Sequence, residues 1–283
     1  MNGGAFARAC HHAGFMLGAL LSAAMTAAAL LSLAWSPYPP AAIDIPHKLQ
    51  PPGPAHWLGT DALGRDIASQ LLVGAQNSIA VGVVAVGIGL VFGVAFGCLA
   101  AAQRASGRGW VDEFVMRGAD FTFAFPALLT AIMLTAIYGP GLLMSIVAIG
   151  IFNVPVFARI TRGAATAVWS RDFITAARAA GKGPWAITRD HVLPNIASPL
   201  IVQATISFAT AILAEAALSY LGLGTQPPQP SWGRMLNEAQ TQMFQAPMLA
   251  VYPGVAIMLS VLGLNLMGDG LRDLMDPKLA RGR

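Results

Sequence analysis

The sequence predicts an all-α membrane protein: a polytopic helical bundle of six transmembrane helices with both termini cytoplasmic. Three observations carry that expectation. Hydrophobic residues make up 55% of the 283 residues and charged residues only 11%, where soluble domains hold roughly 25% charged. A soluble core can be apolar, but a soluble surface cannot dispense with so much charge. Second, six apolar runs approach or exceed the length of about 18 residues that marks a spanning helix: 15–35, 78–102, 121–138, 142–158, 196–220 and 250–267. Their continuity argues against barrel strands, which alternate over about ten residues. Third, the basic residues are segregated. If the spans alternate direction, fourteen Lys and Arg fall in the N-terminus, the 103–117 and 159–195 loops and the tail, against Lys48, Arg65 and Arg234 on the other side. That bias sets the orientation. It also accounts for the net charge of +4, so no nucleic-acid partner is expected.

Residues 1–14 form a cytoplasmic N-terminus ahead of the first span, 15–35. This run exceeds the 7–15 apolar residues of a signal peptide, so it reads as a retained helix. Cys10 and Cys98 show no disulfide or metal spacing. Residues 36–77 form an exported loop, proline-rich from Ser36 to Pro54 and therefore extended or irregular. From Asp66, the spacing of Ile67, Leu71, Leu72 and Ala75 suggests an amphipathic helix near the outer interface. The block 78–268 carries five spans as one unit. Gly139-Pro140-Gly141 makes a tight turn between the third and fourth, and the 222–247 loop before the last is again rich in Pro and Gly. A short polar tail, 269–283, ends the chain.

The loop 159–195 is the most elaborate segment on the basic side. Ser170 or Asp172 is placed to cap a short helix, Phe173–Ala180 continues it, and Gly181 suits the position just past its end. Pro184 fits the first turn of a second short helix running to about Val192, and Pro194 marks the next boundary. Ala176, Ala177, Ala179 and Ala180 give a small-residue face that another protein's surface can approach closely. Two readings stand on pattern alone: a docking loop for a partner, or a basic amphipathic loop lying on anionic lipid.

Thr175-Ala176-Ala177-Arg178-Ala179-Ala180-Gly181, followed after nine residues by His191-Val192-Leu193-Pro194, resembles the EAA loop of the permease subunits of bacterial ABC importers. Ala176, Ala177, Gly181, Leu193 and Pro194 fit that motif, while Thr175 stands where Glu is usual, so any salt bridge made by that Glu is absent here. Three further stretches resemble the second permease of dipeptide, oligopeptide and nickel importers. They are Leu58–Asp66, Glu215–Gly224 with Pro227-Pro228 and Ser231-Trp232-Gly233, and the tail Gly268–Asp273 with Asp276-Pro277. The likeness runs from about residue 36 to the end.

The resemblance implies a translocation-pathway subunit of an ATP-driven importer in the bacterial inner membrane, carrying di- or oligopeptides, with nickel, glutathione-like thiols and small sugars as other substrates of similar systems. It implies a sister permease, two ATP-binding subunits and an external solute-binding protein, with membrane lipid around the spans. Thr175, Ala176, Ala177, Gly181, Leu193 and Pro194 would be the ATPase-coupling residues within loop 170–194. The chain has no Gly-x-x-x-x-Gly-Lys-Ser/Thr loop, so ATP and Mg are expected on the partner ATPases, with no cofactor on this chain. No catalytic constellation is apparent, and the chain is expected to be a non-catalytic transport subunit. The alternative is an ion-coupled secondary transporter or channel working without an ATPase, which would need mid-membrane titratable relays that are scarce here.

Four features invite sharper interpretation. Glu215 lies in an apolar run, near enough to the exported end to reach water or a loop arginine. Asp120 is expected to pair with Arg117 one turn before it. Pro126, Pro155 and Pro253 are expected to kink their helices. His56, Asp61 and Asp66 make a weak metal pattern, and the two aspartates are better suited to capping turns and the following helix.

Overall fold

In lipid, a chain must satisfy its backbone hydrogen bonds internally, so long apolar runs become helices. The computed structural model describes residues 12–275. Cys10, the 1–11 part of the N-terminal segment and the tail from Asp276 onward lie outside the described residues. In chain order the helices are α1 (Ala13–Ala34), α2 (Ile67–Ala105), α3 (Gly109–Ala124), α4 (Ala127–Tyr138), α5 (Leu142–Trp169), α6 (Asp172–Ala179), α7 (Pro184–Ile187), α8 (Leu193–Tyr220), α9 (Trp232–Ala239) and α10 (Met248–Met275). Among the described residues, five helices are long and apolar enough to cross a membrane: α1, α2, α5, α8 with its α7 lead-in, and α10. The pair α3–α4, bent by 80°, makes a sixth if it is one span.

Several boundaries differ from the sequence expectation, each for a physical reason. The amphipathic segment after Asp66 is not a separate helix; it forms the first turns of the 39-residue α2, because no proline interrupts it before Ser78. Asp66 does cap it, its carboxylate accepting from the Ser69 amide at 2.7 Å. Asp61 likewise holds a turn by accepting from the amides of Leu63 and Arg65. The third span is broken: Pro126 drives Phe125 into the extended region (φ −96°, ψ 128°) and ends α3 there. The fourth span, α5, continues past Ala158 to Trp169, carrying Arg159 and Arg162 with it. Hydropathy ends at a charge, whereas a helix need not. At the other terminus α10 absorbs the start of the expected tail up to Met275.

The core is organised around the crossing of α2 and α5, the most extensive helix contact. Gly89, Gly93 and Gly97 recur every fourth residue on one face of α2. A Cβ on any of them would overlap Asn153, Phe157 or Thr161 and the α5 backbone. Helices in lipid gain little from apolar burial and associate through such close packing. At the basic end the crossing is fastened by Asp112 of α3. Its carboxylate, 3% exposed, receives two bonds from Arg162 at 2.5 and 2.6 Å and one from Arg104 at 2.9 Å. Asp120 does not pair with Arg117 as expected. Arg117 turns to Glu113 one turn earlier, and Asp120 bonds Arg159 of α5, which α3's packing on α5 brings alongside.

At the far end the Pro-rich segment 36–66 is irregular apart from a 3₁₀ turn at Ile45–His47 and an isolated bridge between Thr60 and Asp66. Arg65 ties this segment to α9, bonding both Asp61 and Glu238. The short α9 is wedged among α2, α8 and α10: the Trp232 indole donates to the Leu71 carbonyl at 3.0 Å, and Gly233 lies against the Ala216 backbone.

Candidate functional site

The basic-end loop folds by local chemistry and is then locked to the core. Neither Ser170 nor Asp172 caps α6 as expected. Arg171 occupies the cap position without a side-chain bond, Asp172 is the first helical residue, and the Ser170 hydroxyl donates back to Ala167. A carboxylate in the first turn still favours the helix dipole. The far end of α6 follows the sequence closely. Gly181 has φ +80°, the Lys182 amide donates to the Ala177 carbonyl at 3.1 Å and the Gly181 amide to Arg178 at 2.9 Å. That pair of bonds is the Schellman closure, which requires a left-handed residue.

Pro184 opens α7 as expected. The second arm, however, does not stop at Pro194. A π-helical turn, Thr188–Val192, joins α7 directly to α8, with the Leu193 amide donating to the Thr188 carbonyl. Proline has no amide to give, and the wider turn shifts the hydrogen-bond register so that Pro194 is accepted in the first turn of α8. The loop's second arm and the fifth span are therefore one continuous helical body.

The inner face of the loop is clamped. Ile174, Ile187, Val192 and Ile196 are each 1% exposed or less and join Trp169, Ala101 and Ala165 in one apolar cluster. Arg178 donates to the Ala105 carbonyl at the end of α2 and stacks over Trp169. The two arms are tied by Lys182, which bonds Asp190 at 3.1 Å, while Arg189 bonds the other carboxylate oxygen at 2.9 Å. Hydrogen bonds from Arg189 and then Lys182 hold the Asp190 carboxyl below the usual carboxylate range. A depressed acid keeps its charge until pH falls through the lowered value, so the tie is fully formed at neutral pH.

The outer face carries most of the residues singled out in the sequence. Thr175, Ala176, Gly181 and Pro194 are exposed, whereas Ala177 and Leu193 are half-buried against the core cluster. Two residues the sequence analysis passed over stand out: Phe173, 46% exposed, and Trp185, 76% exposed. Trp185 follows Gly183-Pro184 in a polar stretch, and a large aromatic held out from a rigid loop is the usual anchor of a protein interface. The geometry is thus a firm platform with small residues on one arm and an aromatic on the other.

The two other features singled out in the sequence behave differently. Glu215 is 0% exposed, and among the described residues no arginine pairs with it. One carboxylate oxygen accepts from Ser219 at 2.6 Å and Thr225 at 3.3 Å, because the loop after α8 folds back over it. His56 bonds Asp66 at 3.0 Å, and Asp61 is engaged by Arg65 and Gln70. Among the described residues these groups do not gather as a metal cluster.

Residues 93–281 match the family described as binding-protein-dependent transport system inner membrane component. The chain is 45% identical over 228 residues to the glutathione transport system permease protein GsiD of Pectobacterium atrosepticum, covering 81% of this chain and 74% of that one. It is 46% identical over 233 residues to the dipeptide transport system permease protein DppC of Alkalihalophilus pseudofirmus, covering 82% and 75%. Among solved structures, the MetNI methionine ABC transporter in an inward-facing conformation matches with a TM-score of 0.60. That match covers 73% of this chain and 97% of the other at 21% identity, a likeness of fold.

Proposed function

This chain belongs to the family of inner membrane components of binding-protein-dependent transport systems, and from that premise we propose that its loop 170–194 is the element through which ATP hydrolysis drives it. The chain is a permease subunit of an ABC importer, a multi-pass protein of the bacterial inner membrane that works with ATPase and solute-binding partners. In the proposed assembly it pairs with a sister permease above two ATPase subunits, with ATP and Mg held by those subunits. It catalyses no covalent step itself and binds no cofactor. Both termini and the loop lie on the cytoplasmic side, in keeping with the segregation of Lys and Arg.

One observation carries the coupling role: a platform exposed outward at Thr175, Ala176 and Trp185 is fixed inward by Ile174, Ile187 and Val192, and its second arm, from Pro184, runs without a break into α8. A displacement of the platform therefore moves a spanning helix rather than a hinge. Opening and closing of the ATPase pair would bias two packings of the bundle, inward- and outward-facing. The substrate class we infer is the small peptide. One relative is named for dipeptide and another for glutathione, itself a tripeptide.

The test is purification of the tagged chain from native membranes in mild detergent with assay of ATP hydrolysis. ATPase subunits should accompany the wild type and be lost on Ala176→Glu or Trp185→Ala, both of which alter exposed side chains and leave insertion intact. Undiminished co-purification with both variants would remove the loop from the coupling role.

A further inference from the structure

A concave cavity of about 530 Å³ opens between α4 and α8, with α5 as its floor. Its walls are mostly apolar, and none of its lining residues is charged. Four neutral polar side chains face it: Asn153 from α5, and Gln203, Ser207 and Thr210 from α8. Ser207 falls at the middle of α8 (Leu193–Tyr220) and Asn153 near the middle of α5 (Leu142–Trp169). Both residues also fall within the apolar runs 142–158 and 196–220, so the polar rung belongs to the membrane-spanning part of the bundle, where transporters hold their cargo.

The rung is only partly satisfied from within. The Gln203 amide donates to Ser207 at 3.1 Å, Asn153 donates to the Ile149 carbonyl at 3.0 Å, and Thr210 donates to the Ser207 carbonyl. Among the described residues no donor reaches the amide oxygens of Asn153 or Gln203. Open acceptors at this depth are costly against hydrocarbon. A cavity of this size lies in the range that holds a small ligand.

We propose that Asn153, Gln203, Ser207 and Thr210 form a contact site for the permeating substrate, reading the peptide bond rather than the side chains. A peptide bond offers one donor and one acceptor without charge. It can exchange water for the amide and hydroxyl groups of the rung at little net cost, and apolar walls accept varied side chains. Such contacts are weak enough to release the cargo onward. A bare cation would find no compensating charge here. The proposal rests on the importer reading above.

Two measurements on the assembled complex test it. In a Cys10→Ser, Cys98→Ala background, Gln203→Cys and Thr210→Cys should react with a small hydrophilic methanethiosulfonate in lipid nanodiscs. The rate should exceed that of Val91→Cys, an exposed α2 position outside the cavity, at least tenfold. Slow reaction in the complex but fast reaction in the isolated chain would mean that the sister permease fills the groove, overturning the proposal. Second, cells given a panel of uncharged di- and tripeptides as the sole source of a required amino acid should take up at least one. Gln203→Leu and Thr210→Val should each lower that uptake at least fivefold, while the variant complexes still purify with their ATPase subunits. Undiminished uptake, or no peptide taken up by the wild type, contradicts the site. Absence of any co-purifying ATPase would instead sink the importer reading itself, so the two failures are distinguishable.

Discussion

Replacing Gly181 by alanine puts a Cβ on a backbone at φ +80°, and replacing Gly183 puts one on a backbone at φ −72°. Neither new atom meets anything within 4 Å, so the two substitutions differ only in backbone strain. A left-handed conformation costs an L-residue roughly 1–2 kcal/mol, a factor of about 5–30 in an equilibrium. The strain is local. It opposes the Schellman closure between Ala177 and Lys182 and shifts the loop toward arrangements in which α6 and α7 no longer present one platform. Gly183 is already extended before Pro184, where alanine is at ease. In liposomes containing the complete transporter, Gly181→Ala should lower binding-protein-stimulated ATP hydrolysis about tenfold and Gly183→Ala less than twofold. The thermal midpoint of the purified subunit should move little in either. Equal losses would show that bulk against a partner, not backbone geometry, sets the effect. No loss with Gly181→Ala would refute the reasoning.

Further outcomes follow from the interior. Asp112→Ala should destabilise the protein by about 1–3 kcal/mol, since it strips a buried acceptor from Arg162 and Arg104 while both arginines keep some access to water; a thermal scan in detergent reads the shift. Gly93→Leu should prevent stable folding, because its Cβ would sit 2.6 Å from the Val154 carbonyl oxygen, a backbone atom that no rotamer change can move; size-exclusion chromatography of the expressed protein checks this. Glu215→Gln should lie within about 1 kcal/mol of wild type, keeping an acceptor for Ser219 and Thr225. Glu215→Ala should cost roughly 2–4 kcal/mol by leaving a cavity and two hydroxyls without their partner, again read as a thermal midpoint.

Features written in local chemistry were legible in the sequence. Gly181 past the end of α6, Pro184 at the start of α7 and Asp66 at the head of α2 depend on neighbours within a few residues. What escaped depends on partners brought from afar. Asp120 and Arg117 lie one turn apart in sequence, but the packing of α3 on α5 delivers Arg159, 39 residues away. Glu215 looked close enough to the helix end to meet water, and only the return of the 221–231 loop seals it. Pro194 looked like a stop, since the π turn that accommodates it leaves no mark in hydropathy. The four alanines between Ala176 and Ala180 suggest one face, whereas Ala177 turns inward to the core and Ala176 outward. Trp185 carries a local signal of its own: a large apolar residue directly after the helix-starting proline.

The coupling role of loop 170–194 is tested most directly by cross-linking from its outer face. In the cysteine-free background, a cysteine at Thr175 or Trp185 carrying a short photoreactive probe should form an adduct with an ATPase subunit in the native complex. The yield should change when ATP is added, and a probe at Val91 on α2 should give none. Adducts with lipid alone, together with unaltered ATP hydrolysis, would contradict the coupling role and leave the loop as an interfacial anchor.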